Sequence, residues 1–99
     1  MTELARTELG RIDVSASTLQ RVVARAAEQV EGVRVARSRR NPRIEVAGGA
    51  ARIEVVLAVG RGTIVPAAAR AVQQCVAREV GSMLEMRIGA VDVSVERIF

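Results

Sequence analysis

The chain contains no lysine, histidine, tryptophan or tyrosine, and only one phenylalanine and one cysteine among its 99 residues. Each absence removes a class of behaviour. Proton transfer near neutral pH usually recruits histidine, with lysine and tyrosine as common substitutes. A chain without all three is left with carboxylates, hydroxyls, one thiol and arginine, so an enzyme is not expected. The single thiol, Cys75, cannot close a disulfide within the chain and fits a reducing compartment. One cysteine without histidine also leaves only carboxylates for metal binding, and the acids show no dense ligand spacing. No metal or cofactor is therefore expected. No uncharged run approaches the roughly 20 apolar residues that span a bilayer, and the first ten residues carry Glu3, Arg6 and Glu8, unlike a secretory signal. A cytoplasmic protein without a transmembrane segment of its own is expected.

What the chain does have is small aliphatic residues and arginine. Apolar residues make up 49% of the sequence against 1% aromatic, so any core must be built from Ala, Val, Ile and Leu. All fifteen cations are arginine against eleven acids, a formal charge of +4. Five of them, Arg34, Arg37, Arg39, Arg40 and Arg43, lie in one acid-free stretch, and the other ten nearly balance the acids. The length suits one domain with one core. Residues 1–99 are read as that domain, with 1–8 as a disordered tail.

The hydrophobic pattern predicts the elements in turn. From Leu9 to Val14 apolar and polar residues alternate, the period of a half-buried strand. Ser15, or Ser17 with Gln20, can cap the helix that follows, whose stripe is Leu19, Val22, Val23, Ala26, Ala27 and Val30. Gly32 suits a left-handed C-cap, and Val33 and Val35 begin an extended segment. Asn41-Pro42 favours a turn. Strands over Arg43–Ala47 and Ala51–Val59 flank Gly48-Gly49, which supply the positive φ values of a tight hairpin. The outer face of the second strand becomes apolar at Val56 and Ala58.

Gly60-Arg61-Gly62 then breaks the chain before a second helix capped by Thr63 or Val65, with Pro66 in its first turn and the stripe Val65, Ala69, Val72, Val76, Val80 and Met83. A final strand from Met86 to Arg97 slips its alternation at Gly89-Ala90, where a bulge would absorb one residue. Helices with one apolar stripe and strands with one apolar face predict an α/β (α+β) two-layer sandwich: a mixed sheet of four to five strands with two helices on one face, ordered β-α-β-β-β-α-β.

These pieces resemble the alkaline shock proteins, the Gls-type general-stress or envelope stress response family of bacteria. The resemblance is carried by GRIDVSASTLQRVVARAAEQVEGV (Gly10 to Val33), IEVVLAVGRGTIVPAAARAVQQCV (Ile53 to Val76) and VDVSV (Val91 to Val95). Leu84-Glu85 stands where members commonly carry Thr-Gly, and Arg97-Ile98 where they carry Gly-Ile or Gly-Val. The resemblance implies a non-enzymatic cytoplasmic scaffold that self-associates as a homo-oligomer. It also implies recruitment to the inner membrane face by a membrane-anchor protein of the same family, with no catalytic residues to transfer.

For a site, the arginine stretch is the expected anion or partner contact: clustered guanidinium groups raise the local potential and can chelate phosphate or carboxylate. The plainer reading is a solvated loop. The alternative function is a small basic nucleic-acid-binding module, disfavoured because single-strand readers supply aromatic platforms that this chain lacks. Gly60-Arg61-Gly62 reads as a strand-to-helix turn, lacking the spacing and lysine of a nucleotide loop. Cys75 reads as a packed thiol. Asp13 and Asp92 alternate with core-facing residues and read as outward strand positions.

Overall fold

The computed structural model describes the backbone of residues 2–7 and 10–14, and backbone and side chains of residues 15–38 and 40–99. The order is β1 (Thr2–Thr7), β2 (Gly10–Val14), α1 (Ala16–Glu28), β3 (Val33–Val35), β4 (Arg43–Ala47), β5 (Ala50–Val59), α2 (Val65–Leu84) and β6 (Arg87–Ile98). The expected order is present with one strand added at the front. Thr2–Thr7, expected to be part of a disordered tail, is a strand antiparallel to β2; Met1, Glu8 and Leu9 lie outside the described residues. The added strand has a backbone reason. β2 does not join the main sheet, and its N–H and C=O groups find partners in β1 instead.

The main sheet has four strands and is mixed. β5 is central: β3 and β4 lie antiparallel along the two halves of one of its edges, and β6 runs parallel along the other. The β5–β6 register shifts opposite Gly89, between the Ile88 and Ala90 pairings, where the alternation slip predicts a bulge. A second shift, opposite Glu96, has no counterpart in the sequence pattern. Gly48 and Gly49, at φ 58° and 74°, close the β4–β5 hairpin.

Both helices cover one face of this sheet, and the core between the layers is aliphatic throughout. Ile53, Val55, Leu57 and Val59 of β5 meet Leu19, Val23, Ala26 and Ala27 of α1 and Val72, Val76 and Val80 of α2. Among the described residues no polar or charged side chain is buried. Ser15 is the N-cap of α1: its hydroxyl accepts from the Thr18 N–H, so the first candidate caps and the Ser17–Gln20 box does not form.

Three details of the helices differ from expectation. The buried stripe of α2 is Ala68, Val72, Val76, Val80 and Leu84, with Leu84 in place of Met83, which is exposed, and Ala68 in place of Ala69. A stripe spaced by fours drifts about 40° per step around a 3.6-residue helix, so its two ends leave the line drawn through its middle. Neither Thr63 nor Val65 caps α2; Ile64 holds that position without a side-chain bond, and Pro66 fills the first turn. Gly32 has the expected positive φ, 80°, but lies beyond the helix, whose C-cap is Gln29. Its conformation serves the turn into β3, where its carbonyl accepts from the Gly60 N–H at 2.7 Å.

Candidate interaction surfaces

The arginine stretch occupies a break in an edge strand. β3 and β4 would be one continuous strand along β5 were the chain not to leave the sheet after Ala36 and return at Arg43. The departure leaves Val56 of β5 opposite a gap. Asn41 closes it with its side chain: Oδ1 accepts from the Val56 N–H at 2.9 Å, and Nδ2 donates to the Val56 carbonyl at 2.9 Å and to the Ala36 carbonyl. The Ala36 N–H also donates to the Val56 carbonyl, at 3.0 Å. One amide thus reproduces the ladder bonds that a strand residue would have made. The loop is tied to α1 by Gln20, whose Nε2 donates to the Pro42 carbonyl at 2.9 Å, and by Glu28, which accepts from the Val35 N–H at 3.1 Å.

This anchoring distributes the expected site residues rather than gathering them. Arg34 projects from β3 opposite Ala58, and its guanidinium lies 4.5 Å from the centre of the Phe99 ring, within cation–π range. Arg37 joins Arg34 and Arg97 around a groove that also contains Glu28 and Glu96. Arg40 and Arg43 line a separate groove of about 510 Å³ between the start of α1 and β4, beside Leu19, Ile44 and Val46. Arg43 also pairs with Glu45 at 2.8 Å, two residues along the same strand face. Arg39 lies outside the described residues. The stretch therefore serves two surfaces: one a mixed-sign groove at the sheet edge, the other an open groove lined by two guanidinium groups and aliphatic side chains.

The remaining candidates resolve individually. Ala58 is 4% exposed although it lies on the face away from the helices, where Arg34 and Arg97 stand opposite it on either side and line one groove with it. It is thus not an open docking position, while Val56 is half-buried. Asp92 points outward and accepts twice from Arg52, at 3.1 and 3.2 Å. Asp13 lies in the part described by backbone alone. Gly60-Arg61-Gly62 is a turn, with Gly62 at φ 89° and the Arg61 N–H donating to the Phe99 carbonyl. Cys75 is half-buried, with Arg78 Nη2 3.7 Å from its sulfur.

No group of three or more Cys, Asp or Glu side chains is placed to hold a metal ion among the described residues. No helix there is long and apolar enough to cross a membrane. Apolar groups nonetheless remain exposed: Ile64 at 73%, Ile98 at 61%, and Phe99 and Met83 at about two-fifths. The role of Asn41 goes beyond the turn signal of Asn41-Pro42. The available clue is that it is the single amide side chain between Val33 and Ala47.

No family model and no curated protein matches the chain. Several solved structures do. A MamM CTD carrying a histidine-to-alanine substitution superposes with a TM-score of 0.57 at 26% identity, over 84% of this chain and 98% of that one. A copper form of the MamM CTD gives 0.56 at 25% identity over the same shares. A cadmium form gives 0.55 at 27%, over 82% of this chain and 94% of that one. Copper and cadmium belong to those proteins' descriptions. What this chain shares with them is the fold, a two-layer α+β sandwich.

Proposed function

We propose that this chain is a non-enzymatic scaffold of alkaline-shock type. It acts by protein contacts, associates with further copies of itself, and is recruited at the cytoplasmic face of the cell membrane by a membrane-anchor partner. The observation that carries this reading is the distribution of polarity: the space between the layers is filled by aliphatic side chains, while polar and charged groups of the described residues stay at the surface. Chemistry needs a desolvated, preorganised group, whereas recognition needs edges and exposed apolar positions. Ile64, Ile98 and Phe99 are such positions. The three stretches that resemble the alkaline shock family support the same assignment; the likeness to a MamM CTD bears on the fold alone.

The arginines are the proposed electrostatic contact of that scaffold. Arg40 and Arg43 face a groove that an acidic segment or a phosphate-bearing surface would fit. The test is charge reversal in the full chain, with Arg37→Glu, Arg40→Glu and Arg43→Glu combined. Recovery in the membrane fraction of cells and capture by the anchor partner are both expected to fall. Unchanged recovery and capture overturn this role. Light scattering on the purified protein tests self-association: a mass above 10.6 kDa at micromolar concentration is expected, and a monomer overturns it.

A further inference from the structure

The main sheet has two open edges among the described strands, that of β3 and β4 and that of β6. β5 decides which backbone groups reach them. The Val56 N–H and carbonyl are turned to Asn41 and Ala36, on the β3–β4 side. Direction alternates along a strand, so Ile53, Val55 and Leu57 turn theirs to β6. In a parallel ladder such a residue bonds the two neighbours of its register partner. Asp92 and Ser94 therefore serve β5, while Val91, Val93 and Val95 turn N–H and C=O outward along the free edge of β6. The bond from Gln73 Nε2 to the Val91 carbonyl fits this assignment, and that carbonyl keeps a second lone pair.

The same three valines point their side chains to the helix side, where they are half-buried against the core. The regular part of β6 is bounded, because its register shifts opposite Gly89 and again opposite Glu96. Beyond Glu96 the alternation inverts: the Phe99 N–H donates to the Val59 carbonyl, so Arg97 and Phe99 face β5. Residues 90–95 thus form one window with an unpaired edge, and apolar and polar positions in Val91–Val95 alternate symmetrically about Val93. An unpaired edge is a template for another strand. One that is symmetric about its middle fits a second copy of itself across a two-fold axis.

We propose that β6 of one copy pairs antiparallel with β6 of a second copy, with Val93 opposite Val93 at the two-fold axis. Val91 then lies opposite Val95, so the three outward-turned residues of each copy all form ladder bonds, and their side chains line the helix side of the joint. On the other face Asp92 meets Ser94. No like charges are opposed there, and the α2 side chains that share a groove with Ala90 and Val91, those of Gln73, Gln74 and Ala77, are uncharged. Charge selects this register. Sliding one strand by two residues sets Asp92 opposite Asp92 of the second copy. Sliding it the other way sets Asp92 opposite Glu96, and Val91 opposite Arg97, whose backbone groups face β5. The β4 edge offers no equivalent: its outward groups are those of Ile44 and Val46, and pairing these across a two-fold axis opposes Glu45 with Glu45. The proposal deepens the self-association reading and rests on it.

Two measurements on the full chain test it. In a Cys75→Ser background, Val93→Cys is expected on mild oxidation to form a disulfide with its counterpart in the second copy, because directly opposite strand positions approach disulfide distance. Val91→Cys and Val95→Cys, each set about four residues along the ladder from its counterpart, are expected to link several-fold less. Ser94→Asp, at an exposed position, sets a carboxylate opposite Asp92 and is expected to raise the Kd for self-association several-fold in sedimentation equilibrium. Ser94→Asn, of the same size without the charge, is expected to leave it unchanged. Linkage at 93 no greater than at 91 or 95, or a Kd that the two variants at 94 affect alike, overturns the edge pairing while self-association of the wild-type chain still stands. A monomeric wild-type protein at micromolar concentration overturns both.

Discussion

Asn41 spans a gap in the edge strand that backbone alone leaves open. Three hydrogen bonds converge on its amide, two of them from the N–H and C=O of Val56. Removing the amide leaves those groups without their side-chain partner at a half-buried position. Asn41→Ala is expected to lower unfolding free energy by about 2–3 kcal/mol, since each bond is worth about 1 kcal/mol net and stranded partners add to the loss. A urea titration reads this directly, and a change under about 0.5 kcal/mol, the usual range for a surface substitution, would show that water replaces the amide.

Gly32 offers a second residue-scale test with two separable causes. At φ 80° it holds a conformation that costs a side-chain-bearing residue about 1 kcal/mol or more, and a Cβ there would lie 2.8 Å from Thr63 Oγ1. Gly32→Ala is therefore expected to destabilise markedly. Adding Thr63→Ala removes the clash but not the backbone strain, so the double variant should recover part of the loss and no more. Full recovery, or none, in a double-mutant cycle of urea unfolding would contradict this division.

At the scale of elements, the end of α2 is built against its own preferences. Gly81 sits inside the helix, and Glu85 takes the left-handed C-cap at φ 53°, a conformation glycine adopts without penalty. A Cβ on Gly81 would meet Ile88 at 3.5 Å, an ordinary contact. Gly81→Ala and Glu85→Gly are each expected to stabilise, by about 0.5–1 kcal/mol, the first through helix propensity and the second through relief of the left-handed strain. Thermal unfolding checks both. A lower midpoint for Gly81→Ala would mean that the helix and β6 pack too closely there to admit a methyl group.

Most elements were legible because their signals are local. The Gly48-Gly49 hairpin, the Ser15 cap and the bulge at Gly89 each depend on residues adjacent in sequence. The stripe of α2 was read correctly only in its middle, at Val72, Val76 and Val80, because which residues at its ends face inward depends on what the drifting stripe meets. The arginine stretch was legible as a charge run. Its division between two grooves was not, since that follows from where Asn41, Gln20 and Glu28 pin the loop.

For the molecule as a whole, helices and sheet share one core, so they should fail together. Leu57, fully buried in the second half of β5, belongs to the core that sheet and helices share. Leu57→Ala is expected to remove about 3 kcal/mol through lost burial and the cavity left behind. Helical circular dichroism and a denaturant titration followed by hydrogen exchange in β5 should shift to the same extent. Separate midpoints would show that the two layers are not one cooperative unit.

By itself the sequence determined the two-layer class, the aliphatic core and the poor supply of groups for proton transfer. These follow from composition and from periods of two and 3.6 residues, which the chain carries in each strand and helix. Tertiary structure decided the rest: that β2 leaves the main sheet, that β3 and β4 are halves of one interrupted edge, and that Ala58 is buried between Arg34 and Arg97. These depend on the pairing of backbone groups far apart in sequence, and local periodicity specifies which face a strand presents without specifying its neighbour.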